Sequence, residues 1–342
     1  MDPSEADIII EESRRRMAGW AGAALDVSPI IKGGSDRWYY RVTAHEAARV
    51  PASVIVMVYT DKRADNLSFF PATEALALCA VRTPLLYSHD AANMRAWLED
   101  LGGEDLWHAR HDATRRVRLY QSTLREAAKV HGLCWAELPP GLRAQLQPPF
   151  DEALYEWEQQ YFFTEWAARF SALDEAARAA VQHGPELAAL RAELAALPRA
   201  PVHRDFQSQN ILIRDGEAWL IDYQGLREGR PEYDLASLLY DPYVCLPAEE
   251  RAALREYYDQ LRGGVCDERV LAMCACQRLM QALGAYGKLG AGDGKKAFLL
   301  HIRPALEILR GVLAESGLLP SLLPVLELRD GALSDAGLPE LA

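Results

Sequence analysis

The chain has 342 residues, half of them hydrophobic and a quarter charged, and carries a formal net charge of -12. That length buries a large core in one large or two modest domains, and the acidic balance argues against non-specific nucleic-acid binding, which runs on basic surface. No apolar run reaches membrane-spanning length, the acidic start MDPSEADIIIEESRRR lacks a signal-peptide core, and the six cysteines show neither a C-x-x-C pair nor histidines at finger-like spacing. A cytoplasmic protein without a zinc site or disulfide framework is expected, and Cys274 and Cys276 read as reduced thiols in an apolar helix.

In chain order, residues 4 to 24 read as a helix capped by Ser4, with Ile8, Ile9, Met17 and Trp20 on its buried side. The segment from Ser28 to Arg37 leads into a strand, Trp38-Tyr39-Tyr40-Arg41-Val42. Glycines between strands let backbone amides approach an anion, so Gly33, Gly34 and Ser35 are assigned to a nucleotide phosphate loop in preference to a plain hairpin turn. Strand period sets Arg37, Tyr39 and Arg41 on one face, where two guanidinium groups can approach the same anion. The next strand, Ser53 to Tyr59, contains no lysine; Lys62 lies just beyond it. Residues 68–81 form an apolar helix, and Asn93 to Leu98 form a strand that Glu99-Asp100-Leu101-Gly102-Gly103 breaks.

Residues 113–133 form a long helix with Val117, Tyr120, Leu124 and Ala128 at helical spacing, Gly132 as its stop and His131 as a helix-end residue. After a proline-rich break, a helix from Tyr155 to Trp166 mixes aromatic and acidic residues. Its Glu158, Tyr161 and Glu165 share a face, which is either core packing or a stripe that hydrogen-bonds sugar hydroxyls. Ala- and Leu-rich helices divided at Gly184-Pro185 fill residues 171–197.

The segment Val202 to Gln224 concentrates the chemistry. Ile211, Leu212 and Ile213 lead into Asp215-Gly216, and Trp219, Leu220 and Ile221 lead out, which is a hairpin around a turn dipeptide that tolerates positive φ. A two-residue loop pairs Asn210 with Ile221, and a three-residue loop pairs it with Asp222; either way Asn210 and Asp222 share the open end. Asp205, five residues before Asn210, enters the same end. Two carboxylates and an amide oxygen are the inventory Mg²⁺ needs when water and phosphate complete its shell. Beyond the hairpin, Asp234 fits a helix N-cap, and Asp241 and Tyr243 follow that helix, where they can face an acceptor pocket. Residues 248–318 are helical again, and Arg278 there suits either a bidentate bond to a substrate carboxylate or a buried structural ion pair.

His203-Arg204-Asp205 and Asn210, followed by Ile221-Asp222-Tyr223, resemble the catalytic loop and metal-binding motif of the protein-kinase-like superfamily. The aminoglycoside phosphotransferase branch is more similar, because Phe206-Gln207-Ser208-Gln209 replaces the usual kinase loop and Asp222-Tyr223-Gln224 replaces Asp-Phe-Gly. Within that branch the chain looks most like the bacterial anomeric kinases of N-acetylmuramate and N-acetylglucosamine in cell-wall recycling. The residues that carry this likeness are Gly34-Ser35-Asp36-Arg37, Tyr40-Arg41-Val42, Leu98 to Gly102, Tyr233 to Leu239 and Gln277-Arg278.

The resemblance implies an α+β, protein-kinase-like bilobal fold, with an antiparallel N-lobe sheet in residues 1–102 and a mainly helical C-lobe in residues 103–342. It implies ATP and Mg²⁺, with Asp205 catalytic, Asn210 and Asp222 on the metal, and Gly33, Gly34, Ser35, Arg41, Glu99 and Leu101 on the nucleotide, the last two at an inter-lobe hinge. Glu158, Glu165, Asp241, Tyr243 and Arg278 are the candidates for the acceptor. Asp234 is expected to steady the catalytic loop, with His203 and Arg204 as its supports, and Glu74 is expected on the surface. Most relatives keep a phosphate-pairing lysine on the strand where this chain has none, and the anomeric kinases share the absence; Arg41 is the first substitute and Lys62 the second. The favoured acceptor is the anomeric hydroxyl of an N-acetylated amino sugar. An aminoglycoside or choline-type amine is the alternative, and a nucleotide-binding pseudokinase is the alternative of another class.

Overall fold

The computed structural model describes residues 3–30, 37–45 and 51–337. Helix α1 (Pro3–Arg16) lies on one face of a five-stranded antiparallel sheet built from β1 (Leu25–Ile30), β2 (Trp38–Ala44), β3 (Ser53–Val58), β4 (Leu86–Asp90) and β5 (Arg95–Glu99), in the order β1-β2-β3-β5-β4. Period-two alternation decides the faces: Val42, Val54, Val56 and Trp97 turn toward Ile9, Met17 and Trp20, while Tyr39, Arg41, Ile55 and Leu98 turn the other way. The Trp97 indole donates to Ser13 Oγ at 2.9 Å and so fixes α1 on the sheet. Ser4 already lies inside α1, and Ile8 is 44% exposed, because three consecutive isoleucines sweep too wide an arc for all of them to face the sheet.

Two short helices follow β3: α2 (Ala64–Leu67) and α3 (Phe69–Leu78), whose Phe69, Ala72, Ala75 and Leu76 are buried while Glu74 is exposed. Phe69 stacks on Tyr223 with ring centroids 5.0 Å apart, so α3 is anchored to the segment that carries Asp222. The long helix α4 (Ala113–Gly132), opened by Asp112 accepting from the Arg115 amide, packs on the later hairpin and on the Ala248–Arg262 helix.

The remainder is helical apart from two small ribbons, β6 (Ala200–Val202) with β9 (Arg227–Gly229) and β7 (Ile211–Arg214) with β8 (Glu217–Leu220). The Glu268–Tyr286 helix, buried along most of its length, runs through the core with the Ile302–Ser316 helix beside it. The expected helix over 155–166 forms in two parts, an α-helix Glu152–Tyr161 and a π-helical stretch Phe162–Ala167. Cys274 and Cys276 are buried free thiols. Among the described residues no helix is long and apolar enough to cross a membrane.

Candidate active site

The hairpin resolves to the two-residue loop. Arg214 pairs with Glu217 across Asp215 (φ 54) and Gly216 (φ 76), so both turn residues occupy the left-handed region of a type I′ turn. The Ile221 amide consequently donates to the Asn210 carbonyl at 3.0 Å, which sets Asn210 beside the residue preceding Asp222. The Asn210 side-chain amide donates to the Asp205 carbonyl at 2.9 Å, and His203 Nε2 donates to the Ile221 carbonyl at 3.0 Å. These bonds close a ring that holds Asp205, Asn210 and Asp222 on one wall.

Asp234 holds the loop from below. Its carboxylate accepts from the backbone amides of His203 (2.7 Å) and Arg204 (2.8 Å) and faces His131 Nε2 at 3.0 Å, while His131 Nδ1 meets the Tyr258 hydroxyl at 2.6 Å. Arg204 has φ 80, a left-handed conformation costly for a long side chain, and the two bonds to Asp234 offset that cost. Asp234 therefore is not the N-cap: it sits within the Pro231–Leu239 helix, capped at Arg230, and its oxygens point into the core. His131 lies in the last turn of α4, as expected, and is also a buried member of the same network.

Asp205 is 26% exposed on the cavity wall, with Arg204 Nη1 and Arg278 Nη2 each 3.7 Å from its carboxylate. Burial alone would raise its pKa, but the combined field of Arg204, Arg278, His203 and Arg227 overrides it and holds the carboxyl below its ordinary range. Arg227 shares the strain of this cationic cluster, its guanidinium pushed down to about 10 by burial and by Arg204. Asp205 is thus ionised at neutral pH, a weak base ready to accept a hydrogen bond from a hydroxyl.

A cavity of about 590 Å³ opens over this wall. Ile55, Leu98 and Leu101 from the sheet side and Leu212 and Ile221 from the hairpin form an apolar slot at one end. Asp205, Asn210 and Asp222 line the middle, and Tyr243, Arg278, Gln281, Tyr286 and Phe298 line the other end. Asn210 has spent its amide nitrogen on Asp205 and keeps its oxygen, and Asp222, at φ 64, gives Oδ1 to Arg37 and keeps Oδ2. Two hard oxygens on one wall fit Mg²⁺, which takes few protein ligands and fills its shell with water and phosphate. Among the described residues no three His, Cys, Asp or Glu side chains gather as an all-protein metal cage.

The remaining candidates divide. Gly33, Gly34 and Ser35 lie outside the described residues. Arg41 lines the cavity but is fastened to the strand-end turn, with Nε and Nη2 on Asp100 at 2.7 and 3.0 Å and Nη2 on the Gly102 carbonyl at 3.1 Å. Lys62 is exposed and off the wall. Glu99 and Leu101 both line the cavity, Glu99 with its carboxylate 2.6 Å from Arg214. Tyr243 and Arg278 line it too, and Arg278 donates to Ser237 Oγ at 2.6 Å while standing beside Asp205, so it is both a structural anchor and a wall residue.

Three acceptor candidates lie off the wall. Glu158 is wholly buried beneath the catalytic loop, accepting from the Tyr233 hydroxyl at 2.9 Å and Gln277 Nε2 at 3.1 Å, with Arg204 at 3.9 Å. Glu165 sits on the π-helical stretch, paired with Arg169 at 3.0 Å. The change from α to π winding between them breaks the helical spacing that put Glu158 and Glu165 on one face. Asp241 is buried behind the loop, accepting from the amides of Ser208 and Tyr243 at 2.9 Å each. Arg37, which strand period set on one face with Tyr39 and Arg41 but which is absent from the expected nucleotide contacts, lines the cavity with both of them.

The description of the phosphotransferase enzyme family known as APH matches residues 26–272. An N-acetylmuramate/N-acetylglucosamine kinase of Pseudomonas aeruginosa is 23% identical over 291 residues, 82% of this chain and 82% of that one. A choline/ethanolamine kinase family protein of Mesorhizobium loti superposes with a TM-score of 0.58 at 17% identity over 94% of this chain and 98% of its own. The amicoumacin kinase hAmiN, solved with AMP-PNP, Ca²⁺ and Ami, gives a TM-score of 0.59 at 15% identity over 91% of this chain and 94% of its own. The fold is kinase-like, and the chain belongs to the APH phosphotransferase family as a small-molecule kinase.

Proposed function

We propose that the chain transfers the γ-phosphoryl group of ATP to the anomeric hydroxyl of an N-acetylated amino sugar of the N-acetylmuramate or N-acetylglucosamine type, in the cytoplasm and in the service of cell-wall recycling. The observation that carries the chemistry is the common wall of Asp205, Asn210 and Asp222 between an apolar slot and an aromatic, cationic end. In this reading the adenine lies in the slot against the turn at Glu99 and Leu101, and residues 1–102 and 103–342 act as the two lobes around it. Gly33, Gly34 and Ser35 form the phosphate loop. Asn210 and Asp222 hold Mg²⁺, which when bound neutralises phosphate charge.

Asp205 accepts and orients the acceptor hydroxyl, and most of the acceleration comes from positioning. Its lowered pKa makes it a poor base for an ordinary alcohol, whereas an anomeric hydroxyl is more acidic and asks less of it. The lining favours a neutral or anionic sugar over an amine: Tyr243, Tyr286, Phe298, Gln281 and Arg278 contribute rings, an amide and a cation, and among the described residues the carboxylates of the cavity wall, Asp65, Glu99, Asp205 and Asp222, are outnumbered by its five arginines. Arg278 and Tyr243 are the acceptor contacts carried forward from the sequence.

Release of ADP from MgATP, screened against N-acetylated amino sugars and against choline and aminoglycosides, tests the reading. Turnover with the sugars, lost by at least about a thousandfold in Asp205→Asn with nucleotide affinity retained, is the expected result. Turnover confined to the amines would replace the sugar with an amine acceptor. ATP binding without turnover, indifferent to Asp205→Asn, would make the chain a pseudokinase.

A further inference from the structure

A triphosphate in this cavity needs a cation, and β3, whose sequence is Ser-Val-Ile-Val-Met-Val, offers none. Five guanidinium groups line the cavity. Arg41 is committed to Asp100 and Gly102, Arg63 is bonded to Asp65, and Arg204 and Arg278 flank Asp205. Arg37 differs from all of these. It leaves the start of β2 and crosses to the opposite wall, where Nη2 meets Asp222 Oδ1 at 2.5 Å and Nη1 donates to Gln224 Oε1 at 2.8 Å. Its side chain is almost fully buried, and its charge lies at the carboxylate expected to meet the metal.

We propose that Arg37 performs the work of the missing strand lysine, pairing with the nucleotide phosphates while holding Asp222 in register for the divalent ion. This rests on the phosphotransferase reading of the cavity and adds to it an assignment for the phosphate-pairing charge, moving it from Arg41 to Arg37. A planar fork explains why an arginine serves at this position. One nitrogen stays on Gln224 while the other edge is shared between a carboxylate and a phosphate, a division that a single ammonium point charge cannot make. Arg41, four residues along the strand, then stiffens the turn that meets the adenine.

The test is binding, measured by titration calorimetry with adenosine and with ADP, each with and without Mg²⁺. Arg37→Met is expected to weaken ADP at least tenfold while adenosine binds as in the wild type, and Arg37→Lys, which keeps the charge and loses the fork, is expected to recover only part of the loss. If Arg37→Met does not fold, Arg37→Gln carries the same expectation. Arg41→Met should weaken adenosine and ADP by the same factor. The proposal is overturned if the Arg37 variants keep the wild-type ratio of ADP to adenosine affinity, or if Arg41→Met alone changes that ratio. Wild-type protein that binds adenosine and ADP equally would overturn the nucleotide reading itself, and Arg37 with it.

Discussion

The lowered pKa of Asp205 is supported from behind the cavity wall as well as from within it. Arg204 is turned toward it by a left-handed backbone that Asp234 secures, and Glu158 faces Arg204 from inside the core. Burial raises the Glu158 carboxyl above its ordinary range, against the opposing pull of Arg204, Gln277 and Tyr233, so the loop rests on a charge that is expensive to keep. Glu158→Gln retains the shape and removes that charge. The expected outcome is a kcat lowered about ten- to a hundredfold, the roughly 1.5–3 kcal/mol of a charge-assisted contact, with ADP affinity unchanged. Equal losses in kcat and ADP affinity, measured by steady-state kinetics and titration, would show that Glu158 supports the whole cavity and not the loop.

Elements were legible where the signal was local. The hairpin announced itself through Asp215-Gly216 between apolar triplets, and its register carried Asn210 and Asp222 to one end as the two-residue loop requires. The passage from α to π winding after Tyr161 has no local signal, and the segment it packs against lies about 120 residues further along the chain. Gly284 and Gly287 bring the Glu268–Tyr286 helix and its continuation hard against Tyr161 and the Glu165 carbonyl. A Cβ on Gly287 would lie 2.2 Å from that carbonyl oxygen, closer than any relaxed contact. Gly287→Ala is therefore expected to destabilise the protein by at least about 3 kcal/mol in denaturant unfolding. A variant with wild-type stability would mean that the two helices are free to separate.

On the scale of the molecule, the sequence displayed an antiparallel sheet followed by helices, since alternating strands and helical periods are each read within a dozen residues. Which side chains meet across the cavity was far less visible. Glu158 was legible as an acidic residue on a helix face, but its burial under Arg204 depends on how that helix docks, and Arg37 reaches a partner 185 positions away. Strand period put Arg37 and Arg41 on one face and could not tell them apart, because their partners, Asp222 and Asp100, are brought near only by the fold.

The most direct measurement is ³¹P NMR of the protein with MgATP and N-acetylmuramate. A new phosphomonoester resonance, split by the anomeric proton and growing in step with ADP, is expected. ATP left intact by the sugar, or phosphate placed on a hydroxyl other than the anomeric one, would contradict the proposed reaction.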